Sequence, residues 1–247
     1  MKKKLKVFCL NSMFQRKKNL GIILPNILQQ ADIVHVNLIN YNNKIQLPRI
    51  LNNKKIKINK LIGVGSETRF LYYNDYDNVY YFTIDDDILY PKDYSSRMIN
   101  LMLEYNNEIV STVHGAIPNF LKNDYYYKKR LVYSFPKGLK NNKRVLTAGV
   151  GTSCFNTSTT KIDINQYNIK NLSDVYTSVL LYNQNIPIIC IKRPKGWLKS
   201  LNEYGTKIWE TQPLDKVNEI FDNSFKKNGK LEKDVENLIR KFFENEL

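Results

Sequence analysis

The stretch Tyr80–Pro91, YYFTIDDDILYP, decides how the rest of the chain is read. Val79–Ile84 is rich in β-branched and aromatic residues and apolar on both faces, which predicts a central, buried strand. It runs straight into Asp85, Asp86 and Asp87. Unit charges about 4 Å apart repel by roughly 4 kcal/mol at an effective dielectric near 20. Alternate residues of an extended segment point the same way, so Asp85 and Asp87 share a side. Two hard carboxylates of this kind suit Mg²⁺ or Mn²⁺, with phosphate oxygens completing the shell. The plainer alternative is a turn whose aspartates cap the next helix. The apolar ILYP that follows favours the metal or nucleotide role.

Outward from this point, strand and helix alternate. VFCLN (Val7–Asn11) and DIVHVNL (Asp32–Leu38) read as strands, and KKIKINK (Lys54–Lys60) as a weaker one. Between the first two, Leu20, Ile23, Leu24, Ile27 and Leu28 form one helical stripe. Pro25 either kinks that helix or sits in its first turn. Ser66–Asp75 reads as a short helix with Ser66 as N-cap. Asp93 caps a helix whose face holds Tyr94, Met98, Leu101, Met102 and Tyr105, and Glu108–Gly115 is strand again. The alternation predicts an α/β fold with a mostly parallel sheet covered on both sides. Beyond it, Tyr125–Phe135 and Lys143–Phe155 read as strands around a Gly-rich turn. Leu172–Gln184 is helical, Ile186–Arg193 is strand, and PKGWLKSLNEYGTKIW is loop. From Pro213, two amphipathic helices break around Gly229. The expected division is a catalytic domain over 1–205 and a helical extension over 206–247 packed on it.

The 247 residues, 43% hydrophobic, suffice for a sizeable core. A net charge of +15 points to anionic partners. RNA-binding signatures, zinc-finger spacings and basic helices with heptads are absent, so nucleic acid is not expected. Cys9, Cys154 and Cys190 are far apart in apolar stretches and read as buried thiols in a reducing interior. No run approaches 18 apolar residues. The expected setting is cytoplasmic, with charge-driven contact to the inner, anionic membrane face as a lesser expectation.

Two families carry a strand that ends in Asp-x-Asp. Haloacid-dehalogenase-like phosphatases place the motif on the first strand before a Gly-Thr turn, and this chain does neither. YFTIDDDILYPKDY resembles instead the Asp-x-Asp segment of bacterial GT-A-type, family-2-like nucleotide-sugar glycosyltransferases. GSETRF (65–70), STVHG (111–115), GVGTSCF (149–155), LSDVYTSV (172–179) and IKRPKGWL (191–198) follow in the order such enzymes show. The resemblance covers residues 5–200 and implies a GT-A, Rossmann-like domain. It further implies that Asp85 contacts the ribose or base, Asp87 binds the divalent ion on the diphosphate, and Asp86 does either. Arg16 and Arg69 lie where similar enzymes hold the nucleotide. Asp174 matches the base that deprotonates the acceptor hydroxyl, although Ser173 stands where relatives often carry Glu; the alternative is that Asp174 only caps its helix.

Gly149, Gly151 and Thr152 form a tight turn against which a sugar would rest. His114 is placed to reach the sugar or the metal, while His35, inside a strand, reads as structural. Arg193 and Lys195 flank Pro194 in a loop expected to close over the diphosphate, with Trp197 excluding water. The expected activity is metal-dependent transfer from a nucleoside-diphosphate sugar, UDP by resemblance, to a hydroxyl of a surface glycan acceptor, free or lipid-linked. A candidate base and no evident nucleophile point to inversion. The competing classes are a nucleotidyltransferase, which would want glycines that NSMFQRKKN lacks, and a non-catalytic binder of anionic polymer or membrane.

Overall fold

The computed structural model describes residues 4–41, 46–120, 130–201, 213–228 and 230–243. In chain order its first strands and helices are β1 (Lys6–Met13), α1 (Leu20–Leu28), β2 (Ile33–Ile39), β3 (Ile56–Leu61), β4 (Tyr80–Asp85), β5 (Ile88–Leu89) and α2 (Tyr94–Glu104). Then follow β6 (Val110–Thr112), β7 (Gly115–Pro118), β8 (Arg130–Tyr133), β9 (Lys143–Val145), β10 (Thr147–Ala148), β11 (Thr152–Asn156), α3 (Ser173–Asn183), β12 (Ile188–Cys190) and β13 (Lys199–Ser200). The chain closes with α4 (Leu214–Phe225), the two-residue strands β14 (Lys226–Lys227) and β15 (Lys230–Leu231), and α5 (Lys233–Phe243).

An eight-stranded sheet in the order β3-β2-β1-β4-β11-β6-β12-β9 forms the centre. All of its strands except β11 and β9 run in one direction. This is the mostly parallel α/β sheet that the alternation predicted. The strand pleat divides the core in two. Val7, Cys9 and Tyr81 point to a face covered by α3, α4 and α5, where Val175, Phe221, Phe225, Val235 and Ile239 are buried. Phe8, Leu10, Phe82 and Ile84 point to the face covered by α1 and α2, with the Phe8 and Phe82 rings stacked at 4.3 Å. Burial on both faces explains why β4 shows no polar alternation.

Several local expectations change. Ser66–Asp75 forms two 3₁₀ turns rather than a helix, and Ser66 caps nothing; its hydroxyl meets that of Ser173 at 2.7 Å. Pro25 lies inside α1, not in its first turn. Tyr105 ends α2 and is exposed, because the apolar stripe stops at Met102. Glu108–Gly115 divides between β6 and the start of β7, which lie in different sheets. Within the segment read as loop, β13 pairs antiparallel with β5, returning the chain to the acidic triplet. The part of that loop at 202–209 lies outside the described residues, as do 125–129 and Gly229. The three cysteines are buried and free. Among the described residues no helix is long and apolar enough to cross a membrane.

Candidate active site

The site lies beyond the carboxyl ends of β1, β2, β3 and β4. One register row crosses these strands as Asn59, Asn37, Asn11 and Asp85. The three asparagines form a ladder. Asn59 Nδ2 donates to Asn37 Oδ1 at 3.2 Å, and Asn37 Nδ2 donates to Asn11 Oδ1 and to Thr68 O, both at 3.0 Å. Asn11 Nδ2 then donates to Thr68 Oγ1 at 3.0 Å and to Ser66 O at 3.2 Å. Buried amides must find partners, and here the partners are the 3₁₀ turn that carries Arg69. Sequence reasoning missed this ladder, although an Asn near the end of each of three strands, two of them apolar, was its signal.

Arg69 is buried. Its Nε donates to Ser66 O, and its Nη1 reaches Asp85 Oδ1 at 2.8 Å. Burial would lower the guanidinium's pKa, but Asp85 and Asp174 outweigh that and raise it. Arg16 Nη1 lies 3.0 Å from Asp86 Oδ1 and 2.8 Å from Asp87 Oδ2. Each carboxylate of the triplet therefore meets an arginine, which answers the repulsion expected of three adjacent acids. The three do not share a role. Asp86 is 3% exposed, and both its oxygens are taken, one by Arg16 and the other by Met13 N at 2.9 Å. Its burial raises its pKa, against the pull of Arg16. Asp86 thus ties down the loop after β1 and, so placed, does not present its carboxylate to a nucleotide.

Asp85 faces the Gly149–Gly151 turn. A Cβ at Gly151 would overlap the Asp85 carboxylate, and one at Gly149 would lie 2.8 Å from His114 Cβ. These glycines make room for protein side chains, where close ligand approach was expected. A relay fixes the turn: Asp85 N donates to Tyr90 Oη at 2.8 Å, and Tyr90 Oη donates to Gly151 O at 2.5 Å. Thr83 Oγ1 also donates to Val150 O. Thr152, proposed against a sugar, is buried. Its hydroxyl accepts from His114 N at 2.9 Å and donates to Gly149 O at 3.0 Å, so it braces the turn.

Asp174 is the second residue of α3. Its carboxylate does not cap the helix; Oδ1 accepts instead from Val150 N at 3.0 Å. Desolvation raises its pKa to about 6, against the Val150 N–H and Arg69, which lower it, and with Asp85 adding to the rise. His114 is pushed down to about 4 by desolvation and by the charges of Arg130 and Arg193. It is neutral near pH 7, able to hydrogen-bond but not to act as a cation. His35 is buried against Tyr72 and bonded to Tyr76 Oη at 2.7 Å, away from this cluster.

The remaining candidates behave differently. Arg193 is 4% exposed, and its guanidinium donates to Ile191 O, Tyr133 O and Ser134 O at 2.9 to 3.1 Å. A side chain so engaged is a strut between segments, not the moving cation expected. Lys195 is exposed beside it. Trp197 donates Nε1 to Asp93 Oδ1 at 3.0 Å and lies under Arg97 at 4.2 Å, docked on the start of α2 rather than over the cleft. Asp93 spends its carboxylate on this contact and makes no cap bond. Among the described residues no three His, Cys, Asp or Glu converge as a metal cage.

No family model matches the chain, and no curated protein matches it. Among solved structures, it superposes on S. aureus TarS residues 1–349 in complex with UDP-GlcNAc. The TM-score is 0.61 at 13% identity, covering 98% of this chain and 72% of that one. The likeness shows a shared fold.

Proposed function

We propose that the chain is a nucleotide-sugar glycosyltransferase, moving a sugar from a nucleoside diphosphate to a hydroxyl of a glycan acceptor. The observation that carries this reading is the pairing, in one cleft, of the arginine-bound acids Asp85 and Asp87 with Asp174, a carboxylate whose pKa is raised to about 6. The fold neighbour's complex with UDP-GlcNAc supports a UDP-sugar as donor.

Asp85 and Asp87 supply hard oxygen donors of the kind Mn²⁺ or Mg²⁺ takes, and such an ion would complete its shell with diphosphate oxygens. When bound, such an ion would supply Lewis acidity against the charge developing on the leaving diphosphate. Arg16 and Arg69 hold the carboxylates in place and add positive charge near the same group. Asp174 accepts the acceptor's hydroxyl proton. A carboxylate with a pKa near 6 is ionised at pH 7 yet more basic than a solvated one. Base-assisted direct attack inverts the anomeric carbon, which NMR of the product linkage would reveal; a retained configuration would exclude it.

The test is hydrolysis and transfer across UDP-, GDP- and CMP-sugars with Mn²⁺, beside Asp87→Asn. The variant leaves Arg16 bound to Asp86, so the fold should persist. Turnover is expected to fall by at least ~10³-fold, and UDP affinity should no longer respond to Mn²⁺. Unchanged turnover in Asp87→Asn, or release of pyrophosphate from a nucleoside triphosphate, would replace this reading with another.

A further inference from the structure

The chain's positive charge is unevenly placed. Residues 130–145 and 186–201 together hold nine Lys and Arg and no Asp or Glu. The fold stitches these two segments into one surface. Leu139 and Arg193 exchange main-chain hydrogen bonds at 2.8 Å, Gly196 N donates to Pro136 O at 3.0 Å, and Lys192 N donates to Asn142 Oδ1 at 2.7 Å. Buried Arg193 joins them from beneath, through Tyr133 O and Ser134 O. Arg97 Nη2 adds the start of α2 by donating to Lys192 O at 2.8 Å. The ammonium-bearing residues Lys92, Lys137, Lys140, Lys192, Lys195 and Lys199 are all exposed on it. Two acids lie beside it: Asp93, engaged by Trp197 and 3.9 Å from Arg97, and Asp234, paired with Arg144 at 3.2 Å.

One end of this band meets the cleft. Lys199 pairs with Leu89, and Leu201 N donates to Asp87 O at 2.7 Å. Arg130, on β8, lowers the pKa of both His114 and Asp174, so its charge is felt inside the site. We infer that this band, running from the cleft along the 137–142 and 192–199 segments, binds a repeatedly charged anionic acceptor, a phosphodiester- or carboxylate-bearing polymer whose reacting hydroxyl reaches Asp174. The inference rests on the proposed transfer reaction and names its acceptor class. A membrane would offer similar charge, but stable interfacial binding is strengthened by apolar insertion. Among the described residues, the large exposed hydrophobic side chains, such as Ile22, Ile58, Ile62 and Leu103, all lie outside these two segments. Exposed lysines on a backbone held by hydrogen bonds, with no large exposed hydrophobic side chain among the described residues of these segments, suit a soluble polyanion.

The experiment measures binding of a fluorescent poly(glycerol phosphate) chain, uncharged dextran of equal length, and phosphatidylglycerol vesicles, with UDP titrated in parallel. The phosphate polymer should bind, dextran should not, and affinity should fall steeply as salt rises. Lys137→Glu/Lys140→Glu/Lys192→Glu should weaken polymer binding by about tenfold or more and leave UDP affinity unchanged, which also reports an intact fold. Polymer binding that is absent at low salt, or equal in the triple variant, overturns the inference while intact UDP binding leaves the donor assignment standing. Binding to vesicles but not to soluble polymer overturns it in favour of a membrane surface. Failure of the wild-type chain to bind UDP at all would sink the donor assignment, and the acceptor role of the band with it.

Discussion

The cleft has two halves that handle carboxylates in opposite ways. On the strand-borne half, Asp85, Asp86 and Asp87 each meet an arginine within about 3 Å, and the buried Asn ladder locks the loop that supplies one of them. On the turn-and-helix half, the Asp174 carboxylate accepts, among the described residues, from one neutral donor, Val150 N–H, and burial raises its pKa to about 6. The difference teaches a division of labour. Acids matched to cations are suited to hold charge in place, whereas an under-compensated acid is suited to take up a proton.

The strongest way to break the contrast is Asp174→Asn. Val150 N keeps an acceptor in the amide oxygen, so the turn should stand, but the proton acceptor is gone. The expected loss in kcat is ~10²- to 10⁴-fold with UDP affinity preserved. In the wild type, kcat/KM should rise with pH through an apparent pKa near 6, because the base works only when deprotonated. A variant that loses turnover but keeps that acid limb would assign the proton transfer to another group.

A smaller effect probes the seam between the halves. Gly151→Ala places a methyl group where the Asp85 carboxylate now lies, so the Arg69–Asp85 pair must shift. Misplacement of this order costs up to about 10²-fold in kcat/KM, and UDP affinity should fall with it. Gly149→Ala instead presses on the His114 ring and should disturb UDP affinity less. Equal losses of UDP affinity in the two variants would mean that Asp85 has no special part in holding the donor.

Legibility in the sequence differed between the halves for a physical reason. β4 and its acidic end lie in one contiguous stretch, so apolar character and charge could be read together. The parallel sheet followed from local alternation. Asp174 was found only by resemblance, since nothing in LSDVYTSV shows that its carboxylate turns away from its own helix toward Val150. What sets Asp86 apart from Asp87 is the Met13 N–H on its second oxygen, from a residue 73 positions away in sequence. The anchoring of Arg193 and Trp197 was not legible because their partners, Tyr133, Ser134 and Asp93, come from other segments. Tyr90, which ties Asp85 to the turn, carried no signal beyond its place in an apolar run.

The smallest effect sharpens the contrast through stability. A carboxyl whose folded pKa is near 6, against about 4 when unfolded, binds an extra proton in the native state between those values. Its favourable contribution to stability is complete below about pH 4 and is lost as pH rises through 6, so near neutrality Asp174 is a burden on the fold. Asp174→Asn removes the charge while retaining the bond from Val150 N. Its melting temperature should therefore exceed the wild type's by several °C at pH 7.5, since a shift of about two units is worth up to ~2.7 kcal/mol and each kcal/mol is about 2–4 °C in a chain of this length, and the gap should narrow markedly at pH 4.5. A gap that stays the same at both pH values would show that the Asp174 carboxylate is as well accommodated as the arginine-paired acids, and the two halves of the cleft would no longer differ.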